Sequence, residues 1–278
     1  LFRLRTGKYL KEVVSMLANN NKMIINKLAK NSVKSNKKQY GILFFTIVLS
    51  AFMLFCVFTI GLTYLDSSRL QNTRLNGAEY DITTMNGFTS KQVKSLQSNK
   101  NIQNVGMESY AGFIKSSEFD NTVEIGLLWC DETFWNNLMS PARTKLDGHY
   151  PQNKNELMVT KDILKACGNE NLSVGDSIVL TYENNTGVHT DKFVISGIWD
   201  GYGDKSAGFV SKNFYDETGY DLKNDGILCI KLNRNYVLPT TIQSLEKSLN
   251  FSDRQIFAPT DYIENSFKLL LGICGLAL

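Results

Sequence analysis

The chain has little of what metal or nucleophilic chemistry needs. Its 278 residues include two histidines and five cysteines with no CxxC pair, so the His and Cys clusters of a zinc site are missing. No GxxxxGK[ST] phosphate loop occurs. The nearest lookalike, GYGDKSAG from Gly201 to Gly208, lacks both the spacing and the preceding strand that aim backbone amides at phosphate, and reads as a loop. No cofactor site is therefore expected in this chain, and any ATP it depends on is expected on another subunit. Hydrolase chemistry needs a base beside its nucleophile. The candidates are His149, in the turn DGHYP, and His189, in the stretch TGVHTD; both are expected to sit in solvent-facing loops. No local signature pairs either with Cys130, Cys167 or Cys229. Those three thiols are odd in number, so at least one is unpaired unless it bridges to another chain. Cys56 and Cys274 fall in apolar runs, where a thiol behaves as a small hydrophobe. The Asn-x-Ser/Thr triplets at Asn171, Asn184 and Asn250 read as chance in so Asn-rich a chain, and Trp129, Trp135 and Trp199 as packing residues.

Charge is absent from one long stretch. GILFFTIVLSAFMLFCVFTIGLTYL, from Gly41 to Leu65, has no ionisable Asp, Glu, Lys or Arg and no proline. As a helix it would rise about 37 Å, enough to cross a hydrocarbon core of about 30 Å with some tilt. A soluble core helix of that length normally carries a polar face. A signal peptide has a shorter apolar region close to the N-terminus. The stretch is expected to be a transmembrane helix with no group suited to line an ion path.

Acids are nearly missing before it. Arg3, Arg5, Lys8, Lys11, Lys22, Lys27, Lys30, Lys34, Lys37 and Lys38 face the single Glu12. Because this basic segment abuts an apolar span and lacks interleaved aromatics, its expected partner is the membrane surface and its lipids, not nucleic acid. Lys27, Lys30, Lys34, Lys37 and Lys38 are the expected anchors, and the positive-inside rule puts the N-terminus in the cytoplasm and the following domain outside. Tyr40 and Tyr64 bracket the span. In MIINKLAKNSV, from Met23 to Val33, Ile24, Ile25 and Leu28 can share a face ringed by lysines, the pattern of an interfacial helix; the alternative is a solvated basic tail. Residues 1 to 22 read as tail, or as upstream sequence joined by a mis-set start. SFKLLLGICGLAL, from Ser266 to Leu278, is expected to open a second transmembrane helix cut short, since half a span leaves backbone carbonyls in lipid; the alternative is an amphipathic terminal helix.

Between these segments lie about 200 polar residues, enough for a real core. Strands are expected at Tyr80 to Thr84, Ile102 to Lys115, Val123 to Trp129, Glu156 to Thr160, Ser177 to Tyr182, Phe193 to Ile198, Gly208 to Val210 and Ile227 to Leu232, with ENNTGVHTD as a turn-rich break. Helices are expected at Ser90 to Gln97, capped by Thr89 or Ser90, at Lys161 to Ala166, at Asn213 to Thr218 and at Thr240 to Leu249. The fold class is thus a membrane protein of α+β type. Residues 1–40 form a basic tail and interfacial helix, 41–65 a transmembrane helix, 66–265 a two-lobed α/β extracytoplasmic domain with a β-rich lobe inserted at about 140–200, and 266–278 the start of a second span.

LDGHYPQNKNELMVT, LSVGDSIVLTY and DKFVISGIW, in that order from Leu146 to Trp199, resemble the extracytoplasmic core domain of MacB-like and FtsX-like ABC transporter permeases. The family's Gly-x-x-Pro turn before a Glu is matched by Gly148, Pro151 and Glu156. Its Val-Gly-Asp turn is matched by Val174, Gly175 and Asp176, and its strand-closing Gly-Ile pair by Gly197 and Ile198. KLAKNSVKSNKKQYG and the first span resemble the same family, so the likeness extends over residues 23 to 278. These are turn and strand markers, not catalytic residues; Gly175 before Asp176 suits a tight turn, and Pro151 pre-sets one after Gly148. The resemblance implies a multi-pass, non-enzymatic permease subunit in the cell membrane, served by a separate cytoplasmic ABC ATPase and working as a homodimer or with a second permease half. It implies work outside the membrane on peptides, lipoproteins or cell-wall enzymes. A sensor with an outer sensing domain shares this topology, and a membrane-anchored hydrolase is the other rival.

Overall fold

A computed structural model describes residues 22–115, 125–202, 207–233 and 238–277. The tail before Lys22, Val123 and Glu124 of the expected third strand, and residues 203–206 of the GYGDKSAG stretch lie outside the described residues. Contacts divide the chain into Leu1–Thr59 and Ile60–Leu278, with the boundary inside a helix.

In the first unit, α1 (Lys22–Ser35) is followed after Asn36 by α2 (Lys37–Asn76). Asn36 does not break the backbone ladder, because its amide donates to Ser32 and its carbonyl accepts from Tyr40, each at 3.1 Å. The apolar run extends through α2 as one helix, with Ile42, Phe44, Phe45 and Phe55 all about two-thirds exposed. Its hydroxyls need no water: Thr46 donates to the Ile42 carbonyl at 2.9 Å and Thr59 to that of Phe55 at 2.8 Å, which lets a polar side chain sit in an apolar surround. The helix does not end at Leu65 where the hydropathy ends. DSSRLQNTRLN continues it to Asn76, and Gly77 stops it.

The second unit contains β1 (Ile82–Met85), α3 (Ser90–Gln97), β2 (Ile102–Lys115), β3 (Ile125–Cys130), a π-helical turn (Phe134–Leu138) and β4 (Arg143–Gly148). β5 (Glu156–Thr160), α4 (Lys161–Ala166), β6 (Ser177–Asn184), β7 (Gly187–Gly201), β8 (Gly208–Val210) and α5 (Lys212–Tyr215) follow. β9 (Ile227–Leu232), α6 (Pro239–Leu249), β10 (Ile256–Pro259) and α7 (Asp261–Ala277) complete it. The strands join in the order β10-β1-β9-β2-β3-β8-β5-β7-β4, with β6 bridging β2 and β7. That bridge closes a ring: β2, β3, β8, β5, β7 and β6 are each paired to the next, and β6 returns to β2. The ring encloses Ala111, Ile114, Leu127, Leu157, Val159, Ile178, Leu180, Phe193 and Ile195, nearly all without solvent exposure. The remaining strands β10, β1 and β9 extend from β2 as an antiparallel sheet. β2 serves both, its first half pairing β9 and its last residues β6. The strands of residues 140–200 therefore close only with help from β2, β3 and β8.

Several boundaries differ from the sequence reading. The first strand is Ile82–Met85, because Tyr80 and Asp81 lie in the bend before it; α5 is one turn shorter at its end, since Asp216 to Thr218 fold into a turn. ENNTGVHTD is mostly strand, not a break. Thr181 faces Thr190 with hydroxyls 2.9 Å apart and Tyr182 faces His189, so only Asn185 and Thr186 turn the hairpin. Asn184 sets that turn by accepting from the Thr186 amide at 2.8 Å. The capping box of α3 is closed by Thr89, whose amide donates to Gln92 Oε1 at 2.8 Å while its hydroxyl accepts from the Gln92 amide.

Candidate functional site

Three arrangements come forward: the apolar length of α2 with its lysines, the marker residues around β7, and a buried charge cluster.

Among the described residues, α2 is the one helix long and apolar enough to cross a membrane, its most apolar 18-residue window having a mean hydropathy of 2.6 and no buried residue. Lys27, Lys30 and Lys34 stand exposed on α1, and Lys37 and Lys38 on the first turn of α2. Ile24, Ile25 and Leu28 are also exposed, by 52%, 66% and 64%. Apolar side chains left this open in water cost free energy, whereas in a headgroup layer they gain it and the lysines reach lipid phosphates.

The marker residues, spread over 50 positions of sequence, converge on one strand. Gly148 faces Gly197 across β4 and β7. Gly148 has φ +86°, and a side chain there would meet the Ser196 carbonyl at 2.3 Å; one on Gly197 would meet the His149 carbonyl at 2.9 Å. Two backbones thus touch where neither has a Cβ. Pro151 is buried in the loop that follows. Glu156 closes that loop, accepting from the Gln152 amide at 2.7 Å, the Asn153 amide at 3.1 Å and the Asn153 side chain at 2.7 Å. Gly175, at φ +95°, donates to the Ile195 carbonyl at 2.8 Å, and the Ile195 amide donates back to Asp176 at 2.9 Å. The Asp176 carboxylate accepts from the Ser173 amide at 2.8 Å. Gly148, Gly175 and Asp176 thus hold their turns against β7, and Glu156 holds the loop that contains Pro151. Tyr150, passed over in the sequence, locks the same loop: its hydroxyl donates toward the Cys130 and Val210 carbonyls, both 3.2 Å away, and accepts from the Cys130 amide.

Glu156 provides a pH test of this role. Partial burial works against its charge, but the donors from Gln152 and Asn153 outweigh that and hold the carboxyl below its usual range. A lowered carboxyl contributes stability that is present above the unfolded value and lost as pH falls through the folded one. Glu156→Gln should therefore be less stable than the parent near neutrality, and the gap should close as pH drops below about 4.3. Denaturant midpoints compared at pH 7 and pH 3.5 check it; a gap that stays constant with pH contradicts it.

The third arrangement had no sequence signal beyond a lone lysine in the run ILCIKL. Lys231, 5% exposed, lies 3.3 Å from Asp81, itself 1% exposed, and 3.2 Å from Glu79. Arg69, on the part of α2 beyond Ile60, reaches Glu79 at 3.4 Å. Asp81 also accepts from the Leu232 amide at 2.7 Å. Burial raises the Asp81 carboxyl above its ordinary value, opposed by Lys231 and by the Leu232 amide. Through Arg69 and Glu79 the cluster links the part of α2 beyond Ile60 to Lys231 of β9.

His149 is exposed, as expected, with Nδ1 3.0 Å from the Tyr150 carbonyl. His189 is on β7 and not in a loop; its Nε2 is 2.8 Å from the Thr186 hydroxyl and its ring stacks on Tyr182. Cys56, Cys130 and Cys229 are free thiols. The three tryptophans are core residues: Trp129 stacks on Tyr215, and Trp135 and Trp199 pack on Phe209.

No protein family matches the sequence, and no curated protein does. Among solved structures, the chain is similar to the periplasmic region of MacB from Actinobacillus actinomycetemcomitans, with 13% identity and a TM-score of 0.44 over 70% of this chain and 95% of that one. It is also similar to the extracellular domain of the noncanonic ABC-type transporter YknZ from Gram-positive bacteria, with 11% identity and a TM-score of 0.42 over 64% of this chain and 98% of that one.

Proposed function

We propose that this chain belongs to the permease subunit of an ABC transporter of the MacB and FtsX type, with α2 in the membrane and the Ile60–Leu278 unit carrying its outer domain. The observation that carries the reading is a pairing: an exposed, uncharged helix stretch behind a lysine-rich approach, then a domain in which Gly148, Gly175 and Asp176 meet β7 at Gly197 and Ile195 while Glu156 closes the loop that holds Pro151. In this reading the N-terminus is cytoplasmic, α7 leads into a second span, and the ring and the β10-β1-β9 sheet act as two lobes joined by β2. ATP is bound by a separate cytoplasmic ATPase whose dimerisation moves the spans. The permease works as a homodimer or with a second permease half, handling peptides, lipoproteins or cell-wall enzymes outside the membrane.

The test is to tag the chain in its native cell, wash membranes with carbonate, solubilise and identify what co-purifies. The expected result is retention in the carbonate pellet and recovery of a P-loop ATPase of the ABC class. Release by carbonate overturns the membrane assignment, and a retained chain that brings down a histidine kinase output domain instead of an ATPase favours the sensor reading.

A further inference from the structure

A cavity of about 450 Å³ opens between the start of α3, the end of α6 and the loops before β9 and β10. Its wall carries three cations, Lys91, Lys223 and Arg254, and no carboxylate. Among the described residues none of the three is in an ion pair. Asp221, beside the cavity, accepts from the Lys223 and Asn224 amides and the Asn224 side chain and also feels the charge of Lys223. Three cations thus share the lining of one concave surface, a field that favours an anion.

The cavity is also built to hold its shape. Gln92 donates to the Leu249 carbonyl at 3.1 Å and pairs with Gln255 at 3.2 Å, and Gln255 donates to the Gly87 carbonyl at 2.7 Å. Asn86 donates to the Arg254 carbonyl at 2.8 Å, tying the two rims. Asn86 and Asn250, with φ of 65° and 47°, are the two non-glycine residues with positive φ among the described residues, and both line this cavity. Sparsely populated backbone conformations collect where a surrounding structure fixes a ligand clamp. Apart from Leu249 and the three cations, the lining residues are Ser, Thr, Asn and Gln, whose hydroxyl and amide groups can hydrogen-bond a polyol or sugar bearing the anion. The volume is that of a small-molecule site.

We propose that this cleft binds a phosphate group carried on a polyol or sugar, through Lys91, Lys223 and Arg254. The cleft would do so whether or not the chain serves an ATPase. The probe is sn-glycerol 3-phosphate, titrated calorimetrically into the full chain in neutral detergent, with glycerol as control. Binding is expected for the phosphate ester and not for glycerol, weakening as salt is raised from about 50 to about 300 mM. The triple variant Lys91→Gln, Lys223→Gln, Arg254→Gln should raise Kd by about tenfold or more, equivalent to about 1.4 kcal/mol. All three side chains are exposed, so folding should survive; should the triple variant fail to fold, Lys223→Gln alone is expected to weaken binding about threefold. No binding of the ester, equal binding of glycerol, or an affinity unchanged in the folded variant overturns the site. Repeating the titration in nanodiscs of phosphatidylglycerol and of phosphatidylcholine separates the sources. Competition by the former identifies a lipid headgroup, and equal affinity in both identifies a soluble phosphate ester.

Discussion

Replacing Lys231 by methionine is expected to destabilise the Ile60–Leu278 unit by about 3–5 kcal/mol, the range found when one partner of a buried ion pair is removed. The reason is what remains. Asp81 is 1% exposed and would keep the Leu232 amide but lose its only buried cation, and Glu79 would be left with Arg69 alone. The measurement is urea unfolding of the detergent-solubilised chain followed by tryptophan fluorescence. All three tryptophans are buried in the Ile60–Leu278 unit, so the signal reports that unit. Adding Asp81→Asn to the variant should restore much of the loss, because a neutral amide can remain buried where an unpaired carboxylate cannot.

The pH dependence has a definite sign. Burial already holds the Asp81 carboxyl above its ordinary value against the pull of Lys231, and removing the lysine sends it higher. A raised carboxyl takes up a proton on folding, so its contribution is most favourable below the unfolded value and is lost as pH rises through the folded one. The Lys231→Met deficit should therefore be largest at pH 7 and shrink at pH 5. A loss under about 1 kcal/mol, or a deficit that grows on acidification, would show that the pair is effectively solvated.

The legibility of the sequence follows the range over which each feature is decided. α2 was readable because its apolar side chains form one contiguous run, yet its extension to Asn76 was not, since Arg69 and Arg74 are held by Glu79 and by the ring of Tyr202, 4.2 Å away. α3 and α4 were readable to the residue because their caps, Thr89 and Thr160, are local. β4 was missed because RTKLDG is exposed along most of its length and pairs only with β7, whose bulge against it no local pattern announces. β10 owes its conformation to β1, 170 residues earlier in the chain at the Met85 and Ile256 pair. The hairpin was hidden for a different reason: Asn, Gly and Asp in ENNTGVHTD read as a loop, while Val188, His189 and Thr190 pair with Glu183, Tyr182 and Thr181 as rungs of a ladder. The markers were legible as turns, but not their convergence on β7. The buried charges and the basic cleft were illegible, since each gathers residues more than 100 positions apart.

Gly148→Ala is the second large effect, expected to cost about 2–4 kcal/mol, and its value lies in the comparison with Gly175→Ala. Both glycines have positive φ, +86° and +95°, so both substitutions incur the conformational strain of an L-residue there, about 1–2 kcal/mol. They differ in space. A methyl group on Gly148 meets the Ser196 carbonyl oxygen at 2.3 Å and the Gly197 Cα at 2.9 Å, both backbone atoms of β7 that cannot rotate away, whereas one on Gly175 meets nothing within 4 Å. Relief at Gly148 requires β4 to separate from β7, breaking the pairing of Gly148 with Gly197 and the His149 amide bond to Ser196 at 2.9 Å. Gly175→Ala should accordingly lose only the strain, with Gly148→Ala losing at least about 1 kcal/mol more in the same urea titration. If the two variants fall together, the close approach of β4 to β7 does not limit stability, and the Gly-x-x-Pro turn is held by Pro151, Tyr150 and Glu156 alone. If they separate as expected, Gly148 is explained by backbone contact with β7 and Gly175 by its positive φ alone.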